Sequence, residues 1–127
     1  TLFQPAVRYI RKGQMQNPIL IPQKDLRVDN FLVVGTMVAR SLFTDVGGFE
    51  DLKHGYEDWS CWAKCWKAGA TITQVPHAIY NAHINPQSKH RQMWRRRREQ
   101  VYWHQHAQHL LFPEEYPMPT PIPGVAP

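Results

Sequence analysis

Val46-Gly47-Gly48-Phe49-Glu50, followed seven residues after Glu50 by Glu57-Asp58-Trp59, is the stretch on which this 127-residue chain turns. A glycine pair bends the backbone beside an aromatic ring. A short polar loop then delivers two adjacent carboxylates to the start of an apolar-periodic segment. Carboxylates at a helix N-terminus are favoured in their ionised form by the helix dipole, and an ionised carboxylate aimed at a cleft is what a general base requires.

The segment after the pair has the clearest helical period. Trp59, Trp62, Ala63 and Trp66 recur at i, i+3, i+4 and i+7, predicting one buried stripe with Lys64 and Lys67 turned away and Gly69 as the stop. Beyond it, 71–75 reads as a strand, Pro76 as a break and 78–84 as a second strand. The stretch 88–111 lacks Pro and Gly and reads as a helix with a narrow apolar face of Met93, Trp94, Val101, Tyr102, Leu110 and Leu111. Working back from the glycine pair, Ser41 is an expected N-cap for a short helix over 42–46 that Gly47 stops. The β-branched and apolar run 31–39 predicts a buried strand. Residues 23–30 form a polar lead-in, and 1–22, broken by Pro5, Gly13, Pro18 and Pro22, reads as loop. The expected organisation is one α/β domain over 1–112 and an extended proline-rich tail over 113–127.

Composition narrows the class. With 43% hydrophobic and 12% aromatic residues the chain has material for a packed core. The nine-residue run 31–39 ends at Arg40 and is too short to cross a bilayer, which takes about 20 residues. With no visible signal peptide, a cytoplasmic location is expected. Cys61 and Cys65 stand four apart on a helical pattern, where a disulfide is geometrically disfavoured; two reduced, partly buried thiols are expected, and no Cys-x-x-Cys suggests zinc. The net charge of +5 is uneven, with Lys89, His90, Arg91 and Arg95 to Arg98 in one block and Glu50, Asp51, Glu57 and Asp58 in another. The block reads first as a solvated helix face and second as a site for a phosphorylated ligand or an anionic acceptor; with no nucleic-acid motif beside it, nucleic acid is not the expected partner.

The order strand, Gly-Gly-Phe, loop, Glu-Asp-Trp, amphipathic helix, Gly, strand, Pro, strand resembles the acceptor half of a GT-A-fold glycosyltransferase of the family 2 type, from about Asp29 to His83. The resemblance implies a partial GT-A fold. It places the acceptor pocket at Gly47, Gly48 and Phe49 and the catalytic base on one of Glu57 and Asp58, with Asp58 the expected base. His54 and Tyr56, in the loop between the motifs, read as hydrogen-bonding partners of an acceptor, and Trp59 reads first as core and second as a platform for a sugar ring. His83, where the family commonly has Tyr-Arg-x-His, is implied as a metal ligand; a hydrogen-bonded structural histidine is the alternative. The activity implied is transfer of a sugar from a nucleotide sugar to a glycan or other hydroxyl acceptor, with inversion and with a divalent ion, manganese or magnesium.

The chain contains no Asp-x-Asp. Beginning at Thr1 rather than Met, it is expected to be a portion whose nucleotide-binding half is a separate or missing segment, and to associate with that half or with itself. The alternative is a non-catalytic interaction module derived from a glycosyltransferase, with the basic helix and proline-rich tail as its working surfaces. His104, His106 and His109 read as surface histidines, because 104 and 106 point apart on a helix.

Overall fold

The computed structural model describes residues 1–50, 55–85 and 97–124. They form a mixed α/β unit: β1 (Leu2–Arg11), β2 (Gln14–Met15), β3 (Met37–Val38), α1 (Arg40–Asp45), α2 (Glu57–Lys67), β4 (Ile72–His83) and α3 (Arg97–Leu111).

β1 is the centre of the sheet, which corrects the expectation of loop over 1–22. It pairs antiparallel with β2 and β3 and parallel with β4. The residues that looked like breakers are accommodated at places where the ladder needs no donor. Lys12 and Gly13 both take positive φ (49° and 77°), making the two-residue turn of a hairpin that joins β1 to β2. Pro5 lies at the one irregularity in the β1–β4 ladder. Pro5 pairs with Val75, Ala6 pairs with Ile79, and Pro76, His77 and Ala78 are left over. Two residues without N–H groups thus share a bulge, where a missing donor is tolerated. The break expected at Pro76 is this bulge, and the two strands expected around it both pair with β1 as one strand, 72–83.

The expected strand over 31–39 is also corrected. Only Met37–Val38 is strand, at the end of β1. Phe31 and Leu32 are buried, whereas Val34 and Met37 are exposed, and Thr36 N–H closes a turn onto Val33 O (3.0 Å). The run is apolar because its first residues enter the core and Gly35 approaches the Tyr80 ring, not because it is a covered strand.

The helices share a core with the end of the sheet where Leu2, Val38 and Ile72 lie. Leu2, Leu26, Phe31, Leu32, Trp59, Trp62, Leu111 and Phe112 belong to a single core with both cysteines. Within α2, residues 59 to 63 and Cys65 are buried, so the helix is enclosed through its middle and emerges at its last turn. Trp66, expected in the buried stripe, is therefore 39% exposed, its ring flanked by Phe112 and by the Arg27 guanidinium. The cysteines are wholly buried rather than partly so. The inner face of α3 consists of Tyr102, Trp103, Ala107, Gln108 and Leu111, while Val101 and Leu110, expected inside, are exposed. Met93, Trp94 and the rest of 88–96 lie outside the described residues.

Phe3 and Pro5, on the other face of β1, line an open apolar groove of about 480 Å³ with Gly35, Met37, Val75, Ala78, Ile79 and Tyr80. Residues 113–116 are bound to the domain. Glu115 and Tyr116 N–H groups donate to Phe112 O, Arg27 pairs with Glu115 (3.3 Å), and Lys67 pairs with Glu114 (3.9 Å) and donates to Leu111 O.

Candidate active site

The Gly-Gly-Phe turn is built by the end of α1. That helix runs Arg40–Asp45 with Ala39 as N-cap and no side-chain cap, so Ser41 lies inside it rather than capping it. Its C-terminus closes as expected at Gly47. Gly47 N–H donates to Thr44 O (3.0 Å) and Gly48 N–H to Phe43 O (2.8 Å), with both glycines at positive φ (91° and 65°). This is a Schellman closure, in which the left-handed residue favours glycine. A Cβ on Gly48 would also lie 3.0 Å from the Phe43 ring.

The turn is docked on α2. Lys64 Nζ donates to Gly48 O (3.1 Å) and lies 3.8 Å from the Glu50 carboxylate, which also accepts from Ser60 Oγ (3.2 Å). Phe49 meets Phe43 and Trp62 edge-on, with ring centroids 5.2 and 6.0 Å apart, while leaving about half its surface exposed. Lys64 thus faces the turn instead of falling away.

The carboxylate pair opens α2 through a strained backbone. Gly55 (φ 94°) and Tyr56 (φ 65°, ψ 12°) are consecutive left-handed residues, and Tyr56 is the N-cap without a side-chain cap. A non-glycine residue held there costs about 1–3 kcal/mol, a cost that clusters at functional sites. Glu57 is exposed; Asp58 is half-buried. Asn30 Nδ2 donates to Asp58 Oδ2 (3.3 Å), and Trp59 N–H donates to Asp58 Oδ1 (3.0 Å).

Behind the pair, aromatic rings and a pinned loop form the wall. Trp59 is fully buried, its indole N–H on Leu26 O (2.8 Å), with Tyr56 edge-on to it and His104 tilted against it at 5.0 Å. It supports the wall from within and presents no face to a sugar. Burial, and then the Asp29 charge, push the Tyr56 phenol up to about 12. His104 Nε2–H and Gln108 Nε2–H both donate to Val28 O (2.9 and 3.0 Å). Asp25 and Arg27 lock the loop from its other end (2.7 Å), and the Arg27 hydrogen bonds hold the Asp25 carboxyl below its usual range.

The three histidines of α3 are half-buried and engaged rather than free on the surface. His109 Nδ1–H donates to Tyr116 O (2.8 Å). His106 stacks on Tyr102, and burial followed by the His109 charge lowers its pKa.

Gly47, Gly48, Phe49, Tyr56, Glu57, Asp58 and Trp59 are thus assembled on or against α2. His54 lies outside the described residues. His83 is the last residue of β4, exposed and opposite Ile10. Among the described residues no three His, Cys, Asp or Glu side chains are grouped so as to hold a metal ion. The loop 25–30 went unread in the sequence, apart from being polar. Its one signal was Asn30 before an apolar run, the pattern of a side chain that bonds the backbone two residues on.

No protein family, curated protein or solved structure matches the chain. No described helix is long and apolar enough to cross a membrane.

Proposed function

We propose that this chain is the acceptor-binding, base-bearing portion of a GT-A-fold glycosyltransferase of the family 2 type, with Asp58 as the base. The observation that supports it best is the joining of the two motifs on one helix. Lys64, Ser60 and Trp62 hold the Gly47–Glu50 turn against α2, whose first turn carries Asp58. Asp58 suits the role better than Glu57. It is half-buried and held by a neutral donor, whereas Glu57 is exposed.

In this reading the acceptor lies between Phe49 and the start of α2. Asp58 takes the proton of its hydroxyl as that oxygen attacks the anomeric carbon. The bond from that carbon to the nucleoside diphosphate breaks, and the configuration inverts. A divalent ion would neutralise the charge developing on the diphosphate. The described residues do not form a site for it, so the nucleotide and its ion would be held by a further segment or another chain, to which His83 would add one ligand at most.

The test is Asp58→Asn in the protein that carries the nucleotide-binding half, assayed against a panel of nucleotide sugars. Turnover should fall by about 100-fold or more with the fold intact, as loss of a general base does. Near-normal transfer would remove Asp58 from the role. A second reading, an interaction module without catalysis, is favoured by the open apolar groove of Phe3, Met37, Ile79 and their neighbours. It predicts partner binding that Asp58→Asn leaves unchanged.

A further inference from the structure

We infer that Asn30 is a positioning residue for the Asp58 carboxylate, an assignment that rests on reading Asp58 as the base. The geometry leaves the Asn30 amide one way to point. Its Oδ1 accepts the N–H of Leu32 (3.0 Å), which fixes the oxygen toward the backbone and turns Nδ2 toward Asp58 Oδ2 (3.3 Å). The backbone on either side is held as well. Asn30 N–H donates to Asp29 Oδ1 (2.8 Å), Leu32 is buried in the core, and Val28 O is gripped by two side chains of α3. The donor therefore comes from a loop braced against both helices, not from a free side chain.

Two consequences follow for Asp58. A hydrogen bond donated to a carboxylate favours its ionised form, the form a base must have. It also occupies Oδ2, leaving the orientation of the carboxyl plane set before any acceptor arrives. Among the described residues, the titratable groups nearby include Glu57 beside it and Cys61 one turn on in α2, Tyr56 before it, Asp29 next to Asn30, and His104 of α3 against Trp59 and Tyr56. Asn30 is a neutral side chain that donates to it.

The test is a carboxyl-carbon NMR titration of Asp58 in the 127-residue chain, which needs no transfer activity and so separates this proposal from the function it rests on. In the wild type, the Asn30 side-chain amide resonances should move with the same midpoint as the Asp58 carboxyl carbon. Asn30→Asp keeps the shape and the acceptor for Leu32 N–H but replaces the donor with a second carboxyl. It should raise the Asp58 midpoint by about one pH unit or more. Asn30→Ala should raise it by a smaller amount. Amide resonances that stay flat through the Asp58 titration overturn the proposal without any variant, as does an unchanged midpoint in folded Asn30→Asp. If the NMR result holds and Asp58→Asn still transfers sugar normally, the pair is real and the catalytic reading is wrong.

Discussion

The Lys64 ammonium donates to the Gly48 carbonyl at 3.1 Å, across 16 residues of sequence, and thereby fixes the glycine turn to the helix that carries the carboxylate pair. Its second neighbour, Glu50, is 3.8 Å away and largely exposed, so the ion pair adds little beside the hydrogen bond. Lys64→Met keeps the stem and removes the donor. It should cost about 1 kcal/mol in a urea titration, while Glu50→Gln should cost less than about half of that. Equal losses would make the ion pair, rather than the carbonyl contact, the fastening of the turn.

Trp62 and Trp66 share a helical stripe on paper but differ in the fold. Trp62 is 1% exposed and Trp66 39%. Trp62→Ala should cost about 3–5 kcal/mol, the usual loss for a large aromatic in a core. Trp66→Ala should cost about 1 kcal/mol, mainly its contacts with Phe112 and Arg27. Equal losses in guanidinium would mean that α2 does not emerge from the core at its last turn.

What the sequence disclosed and what it hid divide on physical grounds. Helix α2 and both glycine stops were legible because they are local: a 3.6-residue period and a left-handed residue depend on near neighbours. Gly69 ends α2 with the same closure as Gly47, its N–H on Trp66 O and that of Ala70 on Cys65 O. Strand β1 was hidden because Pro5 is tolerated at an irregularity of the ladder that it shares with the distant Pro76, and no local pattern displays that match. The exposure of Trp66 likewise follows from the position of Phe112 and Arg27. At the site, the carboxylate pair and the Gly-Gly-Phe turn were readable, but Asn30, His104 and Gln108 act through contacts spanning 28 to 80 residues.

The buried thiols predict an alkaline weakness. Burial first, and then Cys65, push Cys61 up to about 11 from an ordinary 9.0, and burial raises Cys65 also. A thiol whose folded pKa is raised stays protonated where the unfolded chain would release the proton. Its contribution is complete below about pH 9 and is lost as pH rises through about 11. Tyr56, raised from 10.0 to about 12, acts in the same direction at higher pH. Stability measured in urea should therefore fall as pH rises from about 9 toward 11, and Cys61→Ala should flatten the fall. Native thiols should also react with a thiol reagent at pH 8 only as fast as the chain opens. A pH-independent stability, or immediate labelling of both thiols, would contradict the burial.

Gly35 and Tyr80 give the sharpest test of the sheet's open face. A Cβ on Gly35 would stand 2.8 Å from Tyr80 Cε2 and closer still to Cδ2, inside van der Waals contact. Gly35 has no left-handed φ to defend, so its requirement is steric alone. Gly35→Ala should destabilise by about 1–3 kcal/mol through overpacking, because the Tyr80 ring or strand β4 must move. In a Tyr80→Ala background the same substitution should be close to neutral, giving a coupling energy of about 1 kcal/mol or more in a double-mutant cycle. Additive losses would show that the ring does not lie over the glycine, and the apolar groove that both residues line would then have a different floor.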